Sequence, residues 1–350
     1  MRNPSREVAF YPLFLLALLA CRVFIPPAPT ATSTPALPLK VTLTLTPSQT
    51  LTPSPTRTPS PTLTPTASRT QTITPLPSET PTPSTTSTHP PFLRVPQDFH
   101  SIQSAVDFAV DGDVIIISPG VYVENIVIPG KAITLRNIDP EDPKAVSQTV
   151  VDGAASGSVV RIIGRNPNEI VFAGLTIKRG SSLNGGAVFI DEGAKVGLIK
   201  NHIIENWAAE AGGGVFWGPS ASGMMKHNLI QSNRAKDGGG IFSYSTAPIR
   251  LEGNFITENL ALSKGGGVAL ISSAPLITGN MILSNTAALG GGIAISGIPP
   301  TLIHNRIIGN YATQNGGGLY LQASETLWGL LQLDTNLIFS NPPNRLYLAK

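Results

Sequence analysis

Cysteine is almost missing from this chain of 350 residues, with Cys21 as its single example. An intramolecular disulfide and a thiolate metal cluster are thereby excluded. Charge is sparse too, at 13% of residues, and the net charge is only +3. Even that excess sits at one end. Residues 1–91 hold six Lys or Arg against Glu7 and Glu79, leaving 18 basic and 19 acidic residues beyond. A neutral region offers no phosphate-reading surface, so no nucleic-acid partner is expected. Glycine is absent until Gly112. Long apolar runs are lacking as well: Val8 to Ala20 falls short of the ~20 residues that a membrane-spanning helix needs.

What the first 91 residues do contain is one apolar run and then proline. Arg2 and Arg6 precede the run, and Leu18-Leu19-Ala20-Cys21 closes it. The segment reads as an export signal, and its end resembles the lipobox of bacterial lipoproteins. The resemblance implies cleavage before Cys21, diacylation of its sulfur, and an exported protein held to a membrane by lipid. An ordinary signal peptide that happens to contain a cysteine is the alternative. From Arg22 to Pro91 the chain is Thr, Pro and Ser, with 17 of the 32 prolines. Such a composition builds no core and predicts an extended stalk over 21–91, reaching up to roughly 200 Å at ~3.1 Å per residue.

The remainder, 92–350, is governed by a repeat. Gly212-Gly213-Gly214-Val215 leads to Asn228-Leu229-Ile230-Gln231-Ser232-Asn233, and then Gly238-Gly239-Gly240-Ile241 begins again. Successive glycine runs start at 185, 212, 238, 265, 290 and 316, which is 27, 26, 27, 25 and 26 residues apart. Helical repeats are longer and would not tolerate three glycines in each unit. Alternating stretches such as Val268-Ala269-Leu270 and Leu319-Tyr320-Leu321 read as short strands. Three strands and three turns fit one coil of a parallel β-helix, each coil stacking on the last at the ~4.8 Å strand spacing. The column Ile203, Ile230, Ile256, Ile282, Ile307, Ile338 is then an interior ladder, and Thr257, one residue on, should point outward. The column Asn206, Asn233, Asn259, Asn285, Asn310, Asn341 is assigned to a turn, where asparagine tolerates left-handed backbone and its amide bonds along the stack. The glycine runs are turns with positive φ and close coil approach.

Before the repeats, Ile102, Ala105, Val106 and Ala109 fall on one helical face and predict a short helix capping the first coil. The opening motifs Ile102-Gln103-x-Ala105-Val106, Gly112-Asp113 and Pro119-Gly120-x-Tyr122-x-Glu124 resemble the amino-terminal coil of the pectin-lyase-like right-handed β-helix superfamily. The Gly-Gly-Gly and Ile-x-x-Asn units resemble repeats of polymorphic outer-membrane proteins and other bacterial surface β-helices. The resemblance spans roughly residues 95–341 and implies an all-β, single-stranded right-handed parallel β-helix. It implies no reaction.

Catalytic relatives on this fold use clustered carboxylates, whereas the repeats here offer Asp191, Asp237 and Asp334 in different columns. No catalytic residue, metal site or cofactor is therefore expected. Lys226 and Glu252 should pair on adjacent rungs as a surface ion pair, and His202, His227 and His304 share no column on adjacent rungs. The strongest candidate surface is aromatic. Phe189, Phe216 and Phe242 follow the inward Val188, Val215 and Ile241, with Tyr244 nearby, so the rings should line an outer stripe suited to a glycan or a protein contact. A covering loop is the plain alternative. Three functions stay open: a lipid-anchored surface protein for adhesion or polysaccharide binding, a carbohydrate-active lyase or hydrolase with an unfamiliar site, or a structural envelope protein.

Overall fold

The computed structural model describes residues 89, 90 and 92–349. The export signal, Cys21 and nearly all of the Thr/Pro segment lie outside the described residues.

The described chain winds as a parallel β-solenoid, and its core is one continuous column of aliphatic side chains. Three sheets of nine strands each run its length. The first starts with Phe92–Val95 and Val114–Ile117, the second with Gly120–Val123, and the third with Ile126–Pro129. A fourth sheet of six short strands, from Ser181–Asn184 to Tyr311–Asn315, lies between the second and third sheets in each regular coil. The expected three strands per coil are thus joined by a fourth, in residues read as turn. Strand pairing keeps equivalent residues in register, as in His202↔Leu229, Ile203↔Ile230 and Ile204↔Gln231. The interior ladder follows: Ile203, Ile230, Ile256, Ile282 and Ile307 are fully buried. Thr257 lies on the outer side as expected, yet it is only 6% exposed, between Gln231 and Leu283 in its own column.

Asparagine does more than turn the chain. Its column is buried, and the left-handed residue is the one before it, as at Glu205, Ser232, Glu258 and Ser284. The asparagine side chain points inward because the strained residue has already turned the backbone. The Asn259 Oδ1 accepts from both the backbone N–H and the Nδ2 of Asn233, each at 3.0 Å. Its own Nδ2 donates to the Ile230 carbonyl at 2.9 Å and to Asn285 Oδ1 at 3.0 Å. A second ladder with the same pattern runs through Asn201, Asn228, Asn254, Asn280, Asn305 and Asn336 at the corner between the first two sheets. The glycine runs behave as expected. Gly238 has φ +63, and a Cβ on Gly239 would lie 2.6 Å from the Gly266 carbonyl of the next coil.

The helix Ile102–Phe108 closes the amino-terminal end, with Ile102, Ala105 and Val106 buried beneath it. Glu124 explains its place in the opening motif: its carboxylate accepts from the N–H groups of Ile102 and Gln103, both at 2.9 Å. At the other terminus Lys131 Nζ donates to the carbonyls of Val106 and Asp107 at 2.8 and 2.7 Å. Both ends of the cap are thus charge-stabilised in the sense of the helix dipole. A second helix, Pro143–Gln148, had no sequence expectation behind it. It buries Ala145 and Val146 over the outer side of the second sheet, where Thr176 Oγ1 donates to the Val146 carbonyl at 2.8 Å.

Removing one asparagine from mid-ladder strands several buried donors and acceptors, each costing ~1–3 kcal/mol. Asn259→Ala should therefore lower unfolding free energy by about 3 kcal/mol, and Asn336→Ala, half-buried in the last coil, by clearly less. Urea midpoints compare the two. Equal losses would mean that the ladder is not the source of the stability.

Candidate functional site

The third sheet carries the aromatic stripe. Its strands Val188–Ile190, Val215–Trp217 and Ile241–Ser243 stack in register, so Phe189, Phe216 and Phe242 form one column. Alternation sends their neighbours Val188, Val215 and Ile241 into the core, where they are buried, and leaves the rings on the outer side. Ring centroids are 5.3 and 5.5 Å apart with planes within 2° of parallel. Coplanar rings cannot approach that closely, so these are offset stacks with faces turned toward one another. Each ring therefore covers part of its neighbour's face, which leaves less open face than a row of separate rings would. Arg161, one rung earlier, places its guanidinium 5.4 Å from the Phe189 centroid and covers that end of the stack. Tyr244 lies apart from the stack and is 48% exposed.

The same column continues through Ala269, Ala294, Tyr320 and Tyr347. Tyr320 and Tyr347 form a second stack at 5.8 Å and 7°, and burial, then the neighbouring Tyr347, pushes the Tyr320 hydroxyl above its ordinary pKa. Tyr347 escaped the sequence reading because residues 324–335 break the spacing of the last coil. Between the two stacks, Lys264 reaches along the solenoid, donating to Ser296 Oγ at 3.3 Å and Gln322 Oε1 at 3.2 Å. The two alanines, outward by register, are buried in that stretch.

The remaining polar groups are dispersed. Lys226 and Glu252 do pair on adjacent rungs, at 2.9 Å, with Arg250 at 3.8 Å from the same carboxylate. The hydrogen bond from Lys226 holds the Glu252 carboxyl below the ordinary carboxylate range, against a smaller opposing effect of burial. Burial lowers the pKa of His202. His227 and His304 take left-handed backbone just before Asn228 and Asn305 of the second ladder, whereas His202 lies on a second-sheet strand. Asp191 follows a third-sheet strand, Asp237 accepts from the Lys264 backbone N–H at 2.9 Å, and Asp334 lies in the last connection. Among the described residues, no three His, Cys, Asp or Glu converge on a point that could hold a metal. Two shallow recesses lie away from the stripe. One of about 520 Å³ is lined by Ile338 to Arg345, and one of about 460 Å³ is lined by Glu169, Lys195, Met224 and Arg250 among others. Neither brings two carboxylates together.

The Glu252 carboxylate is charged in the fold down to lower pH than in the unfolded chain. Its stabilising contribution is therefore present at neutral pH and lost as pH falls through the carboxylate range. Lys226→Met should reduce stability by under ~1 kcal/mol at pH 7 and by nothing measurable near pH 3. Denaturant midpoints at both values test this. A loss that persists in acid would assign the lysine a packing role instead.

Comparison with known proteins bears on the fold more than on the site. No curated protein and no solved structure matches the chain. A family model described as a right-handed β-helix region matches residues 155–347, more than half of the sequence. With the parallel coils, the register and the ladders already described, that match places the chain in the right-handed β-helix family.

Proposed function

We propose that this protein is a noncatalytic surface β-helix that binds an extended polysaccharide along the third sheet. Export and lipid attachment at Cys21 would place it on a membrane, with the Thr/Pro segment of residues 21–91 separating the solenoid from the anchor. The observation that carries the binding reading is the column of Phe189, Phe216 and Phe242, with the exposed Tyr244 two residues along the chain from Phe242. Such a row repeats at the rung spacing of ~4.8 Å and suits a linear chain better than a compact molecule. The stacked phenylalanines form an apolar rail, and Tyr244 is the more exposed ring. Aromatic contacts of this kind contribute on the order of 1 kcal/mol each, so useful affinity needs several together. The absence of paired carboxylates in either recess favours binding over hydrolysis, which needs two such groups near the scissile bond.

Affinity electrophoresis of the full chain against xylan, mixed-linkage β-glucan, polygalacturonate, alginate, chitosan and dextran tests the reading. Retardation by at least one polymer is expected, and the Phe216→Ala, Tyr244→Ala double variant should lose most of it while keeping its melting curve. New reducing or unsaturated ends in the same samples would make the protein an enzyme. No retardation by any polymer, or undiminished binding by the double variant, would overturn the proposal.

A further inference from the structure

The third sheet is almost free of charge, and the two cations on its outer face have no anionic partner. Its nine strands, from Ile126–Pro129 to Leu346–Ala349, contain no acidic residue and one basic residue, Arg161. A second cation reaches the face from its flank. Half-buried Lys264 precedes the glycine run of its coil and sends Nζ toward the two coils that follow, to Ser296 Oγ and Gln322 Oε1 on the outer side. Both acceptors are neutral, and an ammonium has three N–H donors to place. Asp237, one coil earlier, accepts from the Lys264 backbone N–H instead. Past the end of the Val188–Ile190 strand, Asp191 makes no ion pair, and Glu192 pairs with Arg165. Among the described residues neither Arg161 nor Lys264 has a carboxylate within ion-pair distance. Elsewhere the solenoid does pair its cations across neighbouring coils, as at Arg179, Lys226 and Lys236.

We propose that the third-sheet site takes an acidic polymer, with Arg161 and Lys264 reading negative groups at the two ends of the contact. The inference rests on the polysaccharide reading above and narrows it. Arg161 lies on the second rung and covers the Phe189 end of the stack. The Nζ of Lys264 lies between the seventh and eighth rungs, those of Ser296 and Gln322. The two cations are thus about five rungs apart, ~24 Å at ~4.8 Å each, with Phe189, Phe216, Phe242 and Tyr244 between them. A compact anion cannot meet both. A chain laid along the axis meets the aromatic row in its middle and a cation toward each end. A neutral chain in the same place would strip water from two charges and return no counter-charge, which is unfavourable. An acidic chain returns it, so the rings supply contact and the cations supply selection.

Affinity electrophoresis of the full chain against matched polymers tests this. Alginate is set against its propylene glycol ester, and dextran sulfate against dextran, so that each pair shares a backbone and differs in charge, as carboxylate or as sulfate. The acidic member of at least one pair should retard the wild type, and its neutral counterpart should do so clearly less. Lys264→Gln with Arg161→Gln should weaken binding to that acidic polymer ~10-fold, about threefold for each exposed charge contact. Arg161→Gln alone, at an exposed position, should show its threefold share. Lys195→Gln with Arg306→Gln removes the same net charge from exposed positions on the first and second sheets and should leave binding unchanged. Preference for neutral polymers, or equal retardation by both members of each pair, overturns the inference and leaves the polysaccharide reading standing. Retardation by no polymer, here or in the earlier panel, overturns both. Undiminished binding after the Lys264 and Arg161 substitutions, or an equal loss after those at Lys195 and Arg306, also overturns the inference, because the attraction then lies elsewhere or in net charge.

Discussion

Stacking of equivalent residues is the constraint from which the rest of this protein follows. Parallel strands bond along the solenoid axis, and each coil therefore sets its side chains directly over those of the coil before. Whatever occupies a column must tolerate a copy of itself at ~4.8 Å. Isoleucine does so by burial, asparagine by donating and accepting along its own column, and glycine by having no Cβ to meet the next carbonyl. Like charges do not. Opposite charges pair instead, with Lys226 against Glu252 in one column and Lys236 against Glu210 in another, each across neighbouring coils.

The asparagine ladders show how strongly this requirement shapes a corner. A sharp turn at every coil would leave backbone N–H and carbonyl groups buried without partners, which is costly. One amide side chain per corner satisfies both, and does so in the same way at every level because the coils repeat. The left-handed residue before every ladder asparagine but Asn336 completes the arrangement. Where that residue has a side chain, as at Glu205 and Ser232, the strain is accepted, and the regular network around it fixes the conformation.

Interior filling obeys a looser rule. Trp217 is fully buried in a column that holds Ile190 before it and Ser243 after it. The small residue on the next rung makes room for the indole, and Ser243 finds its hydrogen-bond partner in Ser273 at 2.8 Å. The outer columns carry what is distinctive about the chain. Two aromatic stacks occupy one of them, and an apolar face occupies another, part of which the protein covers with its own helix.

The repeat made most of this legible in advance. A period of about 26 residues with strand-like alternation allows few solutions, and the Ile and Phe columns, the Lys226–Glu252 pair and the capping helix at Ile102 follow from spacing alone. Other features depend on how corners bend and on which loops fold back, which no spacing records. The fourth sheet and the inward aim of the asparagines are of that kind. So is the offset of the Phe rings, since register fixes a column and side-chain torsion fixes the faces. Tyr347 joined Tyr320 only once the irregular stretch 324–335 had been folded away. The sequence by itself determined the coil, its period and its interior, because identical residues at identical intervals must stack. Tertiary structure alone decided which outer surfaces remain open, because covering a surface takes contacts between residues with no fixed spacing along the chain.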